Sequence, residues 1–244
     1  MAHRSFGDAG HLPNLRPGRR PPDPAGLPRQ RRGTTPQMHG RYPDYDVLAN
    51  AAHWDPVTRA AVMDRVRRTP AIRFFSADEA RCLAAFLDVA LAQDREPRIP
   101  VLAMVDEKLH ESRLDGFRHD GMPDDRETWR VVARGLDAAA GPGGFAAASA
   151  QKREAIVHAF AHAELSGPAW APVDVARAWS VVMRHALAAF YSHPWAWNEI
   201  GFGGPAYPRG YMRLHVGRAG REPHEAEEAF AVDPVTDVPA RGNE

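Results

Sequence analysis

The chain has 244 residues, which suits one large domain or one domain with tails. Lysine plus arginine and aspartate plus glutamate balance at 31 each, so the formal net charge is zero. Its single cysteine, Cys82, excludes a disulfide framework within the chain as well as CxxC and CxxCH motifs, and no apolar run approaches the roughly 20 residues of a membrane span.

The two ends of the chain carry opposite charge. Residues 1–40 hold seven arginines against two aspartates, with seven prolines and six glycines, and residues 221–244 hold seven acidic residues against two arginines. The first composition predicts a basic arm that is disordered alone. It favours a solvated arm or one that lies along a protein partner over a nucleic-acid arm, because few aromatic residues accompany the arginines. The second composition predicts an acidic tail.

No apolar stretch follows the arginine pairs at residues 19–20 and 31–32, as a twin-arginine export signal requires. We therefore expect a cytoplasmic protein.

Residues 41–220 predict an all-α domain of about six helices with a long ordered C-terminal loop. The helices are predicted over residues 56–68, 74–94, 99–114, 126–140, 151–165 and 174–192. Helix starts are indicated by Ser76 with Glu79, by Asp124 or Asp125, by Ser149 and by Asp174. No alternating strand pattern and no internal repeat occurs.

Apolar spacing predicts which side of each helix faces the core. In the first helix Val57, Ala61 and Val62 are expected to point inward. In the last helix an apolar stripe recurs at intervals of three and four residues: Val175, Ala178, Trp179, Val182, Met183, Ala186, Leu187 and Phe190. His185 falls off this stripe and is predicted to lie at the surface or the rim, and Pro194 is expected to end the helix.

One helix carries a candidate metal site. Glu154, His158 and His162 recur at i, i+4 and i+8, and imidazole with carboxylate binds divalent metals. The pattern is not HExxH, and the i+8 step spreads the three groups about 12 Å along the helix axis. Two interpretations of this pattern remain. It is either a polar helix face or a metal site that His193 or His215 completes. Cys82 lies beside an apolar helix face and is predicted to be a small core residue.

The segment from Phe190 to Leu214, FYSHPWAWNEIGFGGPAYPRGYMRL, combines rigid aromatic residues with prolines and glycines. Prolines and glycines fix an unusual backbone shape, aromatic rings supply contact area, and Arg209 and Arg213 can bind carboxylates in two-point contacts. His193 and Glu199 are possible acid–base groups, but one loop defines no pocket. A loop that packs on its own helices is the simpler interpretation.

This segment resembles the gluconate 2-dehydrogenase subunit 3 family. The resemblance is carried by Tyr191, His193-Pro194, Ala196, Trp197-Asn198-Glu199, Ile200-Gly201, Gly203-Gly204-Pro205-Ala206, Tyr207-Pro208 and Gly210-Tyr211. It weakens upstream, where FFSADEARCLAAFLDVAL is similar to an early helix of the family. The family's twin-arginine signal is missing, and the segment before residue 70 is longer than the family core.

The resemblance implies an accessory subunit with no catalytic residue and no cofactor of its own. Its partner would be a glucose–methanol–choline-type flavoprotein that holds FAD and oxidises a sugar or alcohol, in some complexes with a cytochrome c subunit. A metal-dependent enzyme or metal-binding protein using Glu154, His158 and His162 is the alternative. The expected partner-binding residues are Tyr191, His193, Trp197, Asn198, Glu199, Gly203, Gly204, Pro205, Tyr207, Pro208, Arg209 and Tyr211.

Overall fold

The computed structural model describes residues 46–93, 96–114, 116–200 and 202–205. These residues form helices and connecting segments without a β-strand, and the predicted all-α fold is confirmed. Within them the α-helices are α1 (Pro56–Arg67), α2 (Ala77–Ala90), α3 (Val101–His110), α4 (Asp125–Ala140), α5 (Gly144–Ala147), α6 (Ala150–Ala161), α7 (Val175–Tyr191) and α8 (Pro194–Ile200). Short 3-10 helices lie at Val47–His53 and Pro168–Trp170.

The six longer helices, α1 to α4, α6 and α7, match the six that the sequence predicts. The short helices α5 and α8 were not predicted, and α8 replaces the start of the expected C-terminal loop. Pro194 does follow the end of α7, but it also occupies the first position of α8. A proline is favoured there because the first helical residue needs no N–H donor.

Side-chain caps fix the start of most longer helices. The Ser76 hydroxyl accepts from Glu79 N, and the Glu79 carboxylate accepts from Ser76 N, which confirms the predicted capping box. The predicted caps Ser149 and Asp174 are also confirmed at α6 and α7, and Asp124 caps α4. Each cap satisfies an N–H group that the helix itself leaves unpaired.

The main core lies between α2, α3, α4, α6 and α7. The Phe160 ring touches Phe86, Trp170 and Trp179, with ring centroids 5.0 to 5.9 Å apart. Trp170 also packs directly on the backbone of α4 at Gly135, where a Cβ would overlap the indole. This aromatic centre joins four helices and the 3-10 helix at residues 168–170.

A buried carboxylate fixes the segment that precedes α2. Asp106, on α3, is fully buried and accepts hydrogen bonds from the backbone N–H groups of Arg73, Phe74 and Phe75 at 2.7 to 3.2 Å. A buried charge needs such partners, because burial without them is costly. Asp106 therefore holds the entry to α2 against α3.

Helix α1 is less deeply buried than the sequence predicts. Val62 is buried, as expected, but Val57 is 78% exposed and Ala61 is also exposed. The inward assignment of Val57 and Ala61 is therefore wrong. The reason is that α1 packs chiefly against the short helix α8 rather than across the main core, so a single position of α1 is covered. Leu187, at 39% exposure, is a similar error on α7.

No helix in the described ranges has the length and apolar content required to span a bilayer.

Candidate functional site

His193 lies at the turn between α7 and α8. Its Nδ1 accepts a hydrogen bond from Trp195 N at 3.2 Å, so the histidine caps α8 with its side chain. The ring is 1% exposed and lies 4.6 Å from the Trp195 ring, centroid to centroid. Burial lowers the pKa of His193 from 6.5 to about 4, against a smaller opposing effect of a hydrogen bond with the Arg65 backbone. At neutral pH this histidine is an uncharged structural group.

Trp197 and Asn198 point into the protein from α8. Trp197 Nε1 donates to the Tyr191 carbonyl oxygen at 2.6 Å, which ties α8 back to the end of α7. Asn198 Oδ1 accepts from Val47 N at 2.7 Å, and Asn198 Nδ2 donates to Asp46 Oδ1 at 3.3 Å. Asn198 is buried, and its side-chain amide joins segments that lie about 150 residues apart in the sequence.

Residues 202–205 continue the same packing. Phe202 N donates to the Trp197 carbonyl oxygen at 2.9 Å, and the two rings meet edge to face. Asn50 Nδ2 donates to the Gly203 carbonyl oxygen at 3.2 Å. Gly204 has a φ of 84°, and a Cβ there would lie 2.9 Å from the Trp54 ring. Both the backbone conformation and the close contact therefore require glycine.

These contacts form a second hydrophobic core, which is smaller than the main one. It consists of Val47, Trp54, Val62 and Trp197, with Phe202 packed at its edge. Three of these residues come from the segment before α2, and two come from the segment that resembles the family. The sequence gives one hint of this arrangement, since the region from residue 41 to 56 is rich in aromatic residues. It gives no hint of the pairing itself.

The predicted partner-binding residues divide into three groups. His193, Trp197, Asn198, Gly203 and Gly204 are buried by the chain itself. Tyr191 is 46% exposed, and Glu199 and Pro205 are partly exposed. Tyr207, Pro208, Arg209 and Tyr211 lie outside the described residues, as does Arg213. The geometry thus brings the first group together as an internal contact and leaves Tyr191 at the surface.

His185 is not a surface residue, contrary to the sequence prediction. It is 2% exposed, its Nδ1 accepts from Trp129 Nε1 at 3.1 Å, and its Nε2 lies 3.3 Å from Asp125 Oδ2. The prediction was wrong because the buried side of α7 is wider than the apolar stripe and also includes Val181. Both ring nitrogens face protein groups, so His185 links α4 to α7 and presents no nitrogen as a catalytic base.

Cys82 is a core residue, as predicted. Its thiol is buried, with Sγ 3.5 Å from the Ala133 carbonyl oxygen. Burial, followed by the nearby Asp137 carboxylate, raises the pKa of the thiol well above its usual range. A thiol that stays protonated is a poor nucleophile and a poor metal ligand.

The candidate metal ligands on α6 do not converge. Glu154, His158 and His162 are exposed, and His162 Nδ1 lies 2.8 Å from the His158 carbonyl oxygen. The two imidazole rings stack with centroids 4.1 Å apart. In the part of the chain that the structure describes, no group of three or more histidine, cysteine or acidic side chains is arranged to hold a metal ion. His193 lies in the turn before α8, and His215 is outside the described residues.

Together these observations define a helical domain in which the buried groups Asp106, His185 and His193 hydrogen-bond to other parts of the chain. Helix α8 and residues 202–204 pack against the segment that precedes α2. The family model for gluconate 2-dehydrogenase subunit 3 matches residues 77–204, which is more than half of the chain. The chain therefore belongs to this family. Searches of curated proteins and of solved structures found no match.

Proposed function

We propose that this chain is a non-catalytic small subunit that binds and stabilises a glucose–methanol–choline-type flavoprotein, which holds the FAD and oxidises a sugar or alcohol. The single observation that carries the proposal is membership of the subunit 3 family over residues 77–204. The family name gives a dehydrogenase complex as the setting, and a subunit of such a complex has a partner.

The chemistry of the described residues is compatible with an accessory role. The two buried histidines, His185 and His193, each direct Nδ1 at an N–H donor, and the Cys82 thiol is buried. These groups therefore do not supply an obvious nucleophile or general base. In the proposal, flavin chemistry belongs to the partner, and this chain contributes contact area.

Tyr191 is the described residue best placed to contact such a partner. It is 46% exposed, it ends α7, and its carbonyl oxygen is fixed by Trp197. Ile200, at the end of α8, is also exposed. Large rigid side chains of this kind often dominate binding at protein interfaces.

Affinity purification of the tagged full-length chain from its native cells tests the proposal. We expect co-purification of a yellow flavoprotein with a stoichiometric FAD content. Tyr191→Ala should weaken the association roughly 30-fold, as expected for loss of an aromatic anchor of about 2 kcal/mol. Phe117→Ala is the matched control, because Phe117 is 57% exposed but lies in the connection between α3 and α4.

Recovery of the wild-type chain without any flavoprotein, under gentle conditions, would refute the proposal. Haem absorbance in the recovered complex would add a cytochrome c subunit to it. Equal losses for Tyr191→Ala and Phe117→Ala would show that Tyr191 has no special place in the interface.

A further inference from the structure

The segment Asp46–Arg67, which we call the clasp, is joined to the rest of the protein by a core of its own. It contains the 3-10 helix Val47–His53 and α1. Its buried apolar residues, Val47, Trp54 and Val62, pack with Trp197 and not with the main core. Trp197 is thus the buried apolar side chain that the body of the protein contributes to this core, with Phe202 at its edge.

The clasp has apolar packing near Trp54 and Val62, whereas the end of α1 meets the body mainly through polar contacts. A cleft of about 450 Å³ separates α1 from α3 and α7, with Ala61 and Arg65 on one wall and Met104 and Ala188 on the other. Across this cleft Arg65 Nη1 donates to the Ser192 carbonyl oxygen at 2.9 Å. Residues 68–72, which join α1 to the body, form no helix and are mostly exposed. Arg68, where this connection begins, donates two hydrogen bonds to the Glu107 carboxylate of α3, at 2.7 and 3.2 Å. The clasp is therefore a cover outside the main core, and polar contacts near the surface hold it at this end.

The surface beneath the clasp is formed by residues that match the family model, whereas the clasp itself lies outside the matched range. Residues 77–204 match the family, whereas the clasp lies entirely before residue 77. The clasp covers Trp197, Asn198, Gly203 and Gly204, which are all within the matched range. The segment Asp46–Arg67 therefore occupies, in the same chain, a face formed by the family motif.

The covered face has a defined recognition chemistry. Asn198 Oδ1 receives a backbone N–H, and the Gly203 carbonyl oxygen receives a side-chain N–H. Gly204 has no side chain, so Trp54 and Val47 pack directly against its backbone. Each has an atom within 3.0 Å of the position that a Cβ would take. A segment that fits this face supplies an indole or another large apolar side chain, one backbone donor and one amide donor, as the clasp does.

We propose that the clasp is a displaceable cover, and that the face beneath it is a docking surface for an apolar segment of the flavoprotein partner. The inference rests on the proposed function for the identity of the partner, but the opening of the clasp does not. In the free chain the clasp fills the face. Opening exposes Trp197 and Gly204, and the partner segment then takes over the contacts of Trp54 and Asn50. The apparent affinity of the partner is reduced by the fraction of chains that are closed.

Hydrogen exchange of the free full-length chain tests the opening. We expect the amides of α1 to exchange at least 100-fold faster than those of α4, because local opening of a small satellite core requires less free energy than global unfolding. Trp54→Ala should accelerate exchange in α1 by roughly 100-fold or more, up to the unprotected rate, without affecting α4. Asn50→Ala is a milder variant with one hydrogen bond removed, and it should accelerate the same amides about fivefold.

Binding of the purified flavoprotein recovered with the wild-type chain tests the docking. Trp54→Ala removes a clasp residue and should tighten binding, by up to about 100-fold, because less of the chain is closed. Trp197→Ala removes the face itself and should weaken binding roughly 30-fold or more, although it opens the clasp equally well. The two variants therefore differ in the sign of the effect on affinity while they share the effect on exchange.

The outcomes separate the two ideas. Exchange of α1 at the same rate as α4 overturns the displaceable cover. Equal weakening of partner binding by Trp54→Ala and Trp197→Ala overturns the docking surface, because the clasp would then be part of the interface or of the fold that presents it. If the wild-type chain recovers no flavoprotein at all, the proposed function fails and the docking step fails with it, whereas the exchange data still decide whether the clasp opens.

Discussion

His193 should make the stability of this protein depend on pH in a predictable direction. The pKa of His193 is about 4 in the folded protein and 6.5 for an ordinary histidine, so between these values the unfolded chain binds more protons. The contribution of neutral His193 to the free energy of unfolding is therefore fully present above pH 6.5 and is lost as the pH falls toward 4. Linkage gives a loss of about 2 kcal/mol between pH 7 and pH 5, and about 3 kcal/mol by pH 4.

Urea unfolding followed by circular dichroism at pH 7 and pH 5 measures this loss. Other histidines and carboxylates titrate in the same range, so the comparison needs a variant that differs only at this position. His193→Asn is suitable, because asparagine can accept the hydrogen bond from Trp195 N at the start of α8 and does not titrate. We expect the variant to lose about 2 kcal/mol less than the wild type between the two pH values. Equal losses would refute the conclusion that His193 is buried and neutral.

Two further substitutions test the packing of the main core. Asp106→Ala leaves the N–H groups of residues 73–75 without their carboxylate partner, and urea unfolding should show a loss of about 3–5 kcal/mol; a loss below about 1 kcal/mol would mean that water replaces the carboxylate. Gly135→Ala places a Cβ within 2.8 Å of three ring atoms of Trp170. Overpacking costs about 1–3 kcal/mol, which outweighs a gain in helix propensity of up to about 1 kcal/mol. The midpoint of thermal unfolding should therefore fall. A higher midpoint would contradict the close contact between Gly135 and Trp170.

The helices could be predicted because their signals are local. The capping box of Ser76 and Glu79, the cap at Asp174 and the apolar spacing of α2 and α7 each involve residues within a few turns of one another. Such signals are independent of the rest of the chain, and the corresponding helices are confirmed. The short helix α8 was missed because Pro194 was taken as the end of α7 and not as the first residue of another helix.

The packing of the C-terminal segment could not be predicted, because its contacts are remote in sequence. Asn198 meets Val47 across 151 residues, and Asn50 meets Gly203 across 153. Periodicity within one helix gives no information on such pairs. The burial of His185 was missed for a related reason, since a polar side chain was expected outside, whereas Trp129 and Asp125 on another helix supply its polar contacts.

Contacts within the chain explain the residue types of several motif positions among the described residues. Gly204 is required by a left-handed backbone and by the Trp54 ring, Asn198 by the amide of Val47, and His193 by the start of α8. A residue that is needed for such a contact is needed whether or not a partner touches it. The resemblance alone therefore does not locate the interface. Two substitutions separate contacts within the chain from contacts with the partner. Tyr191→Ala removes an exposed side chain without changing the fold, and Trp54→Ala opens the clasp without changing the face beneath it.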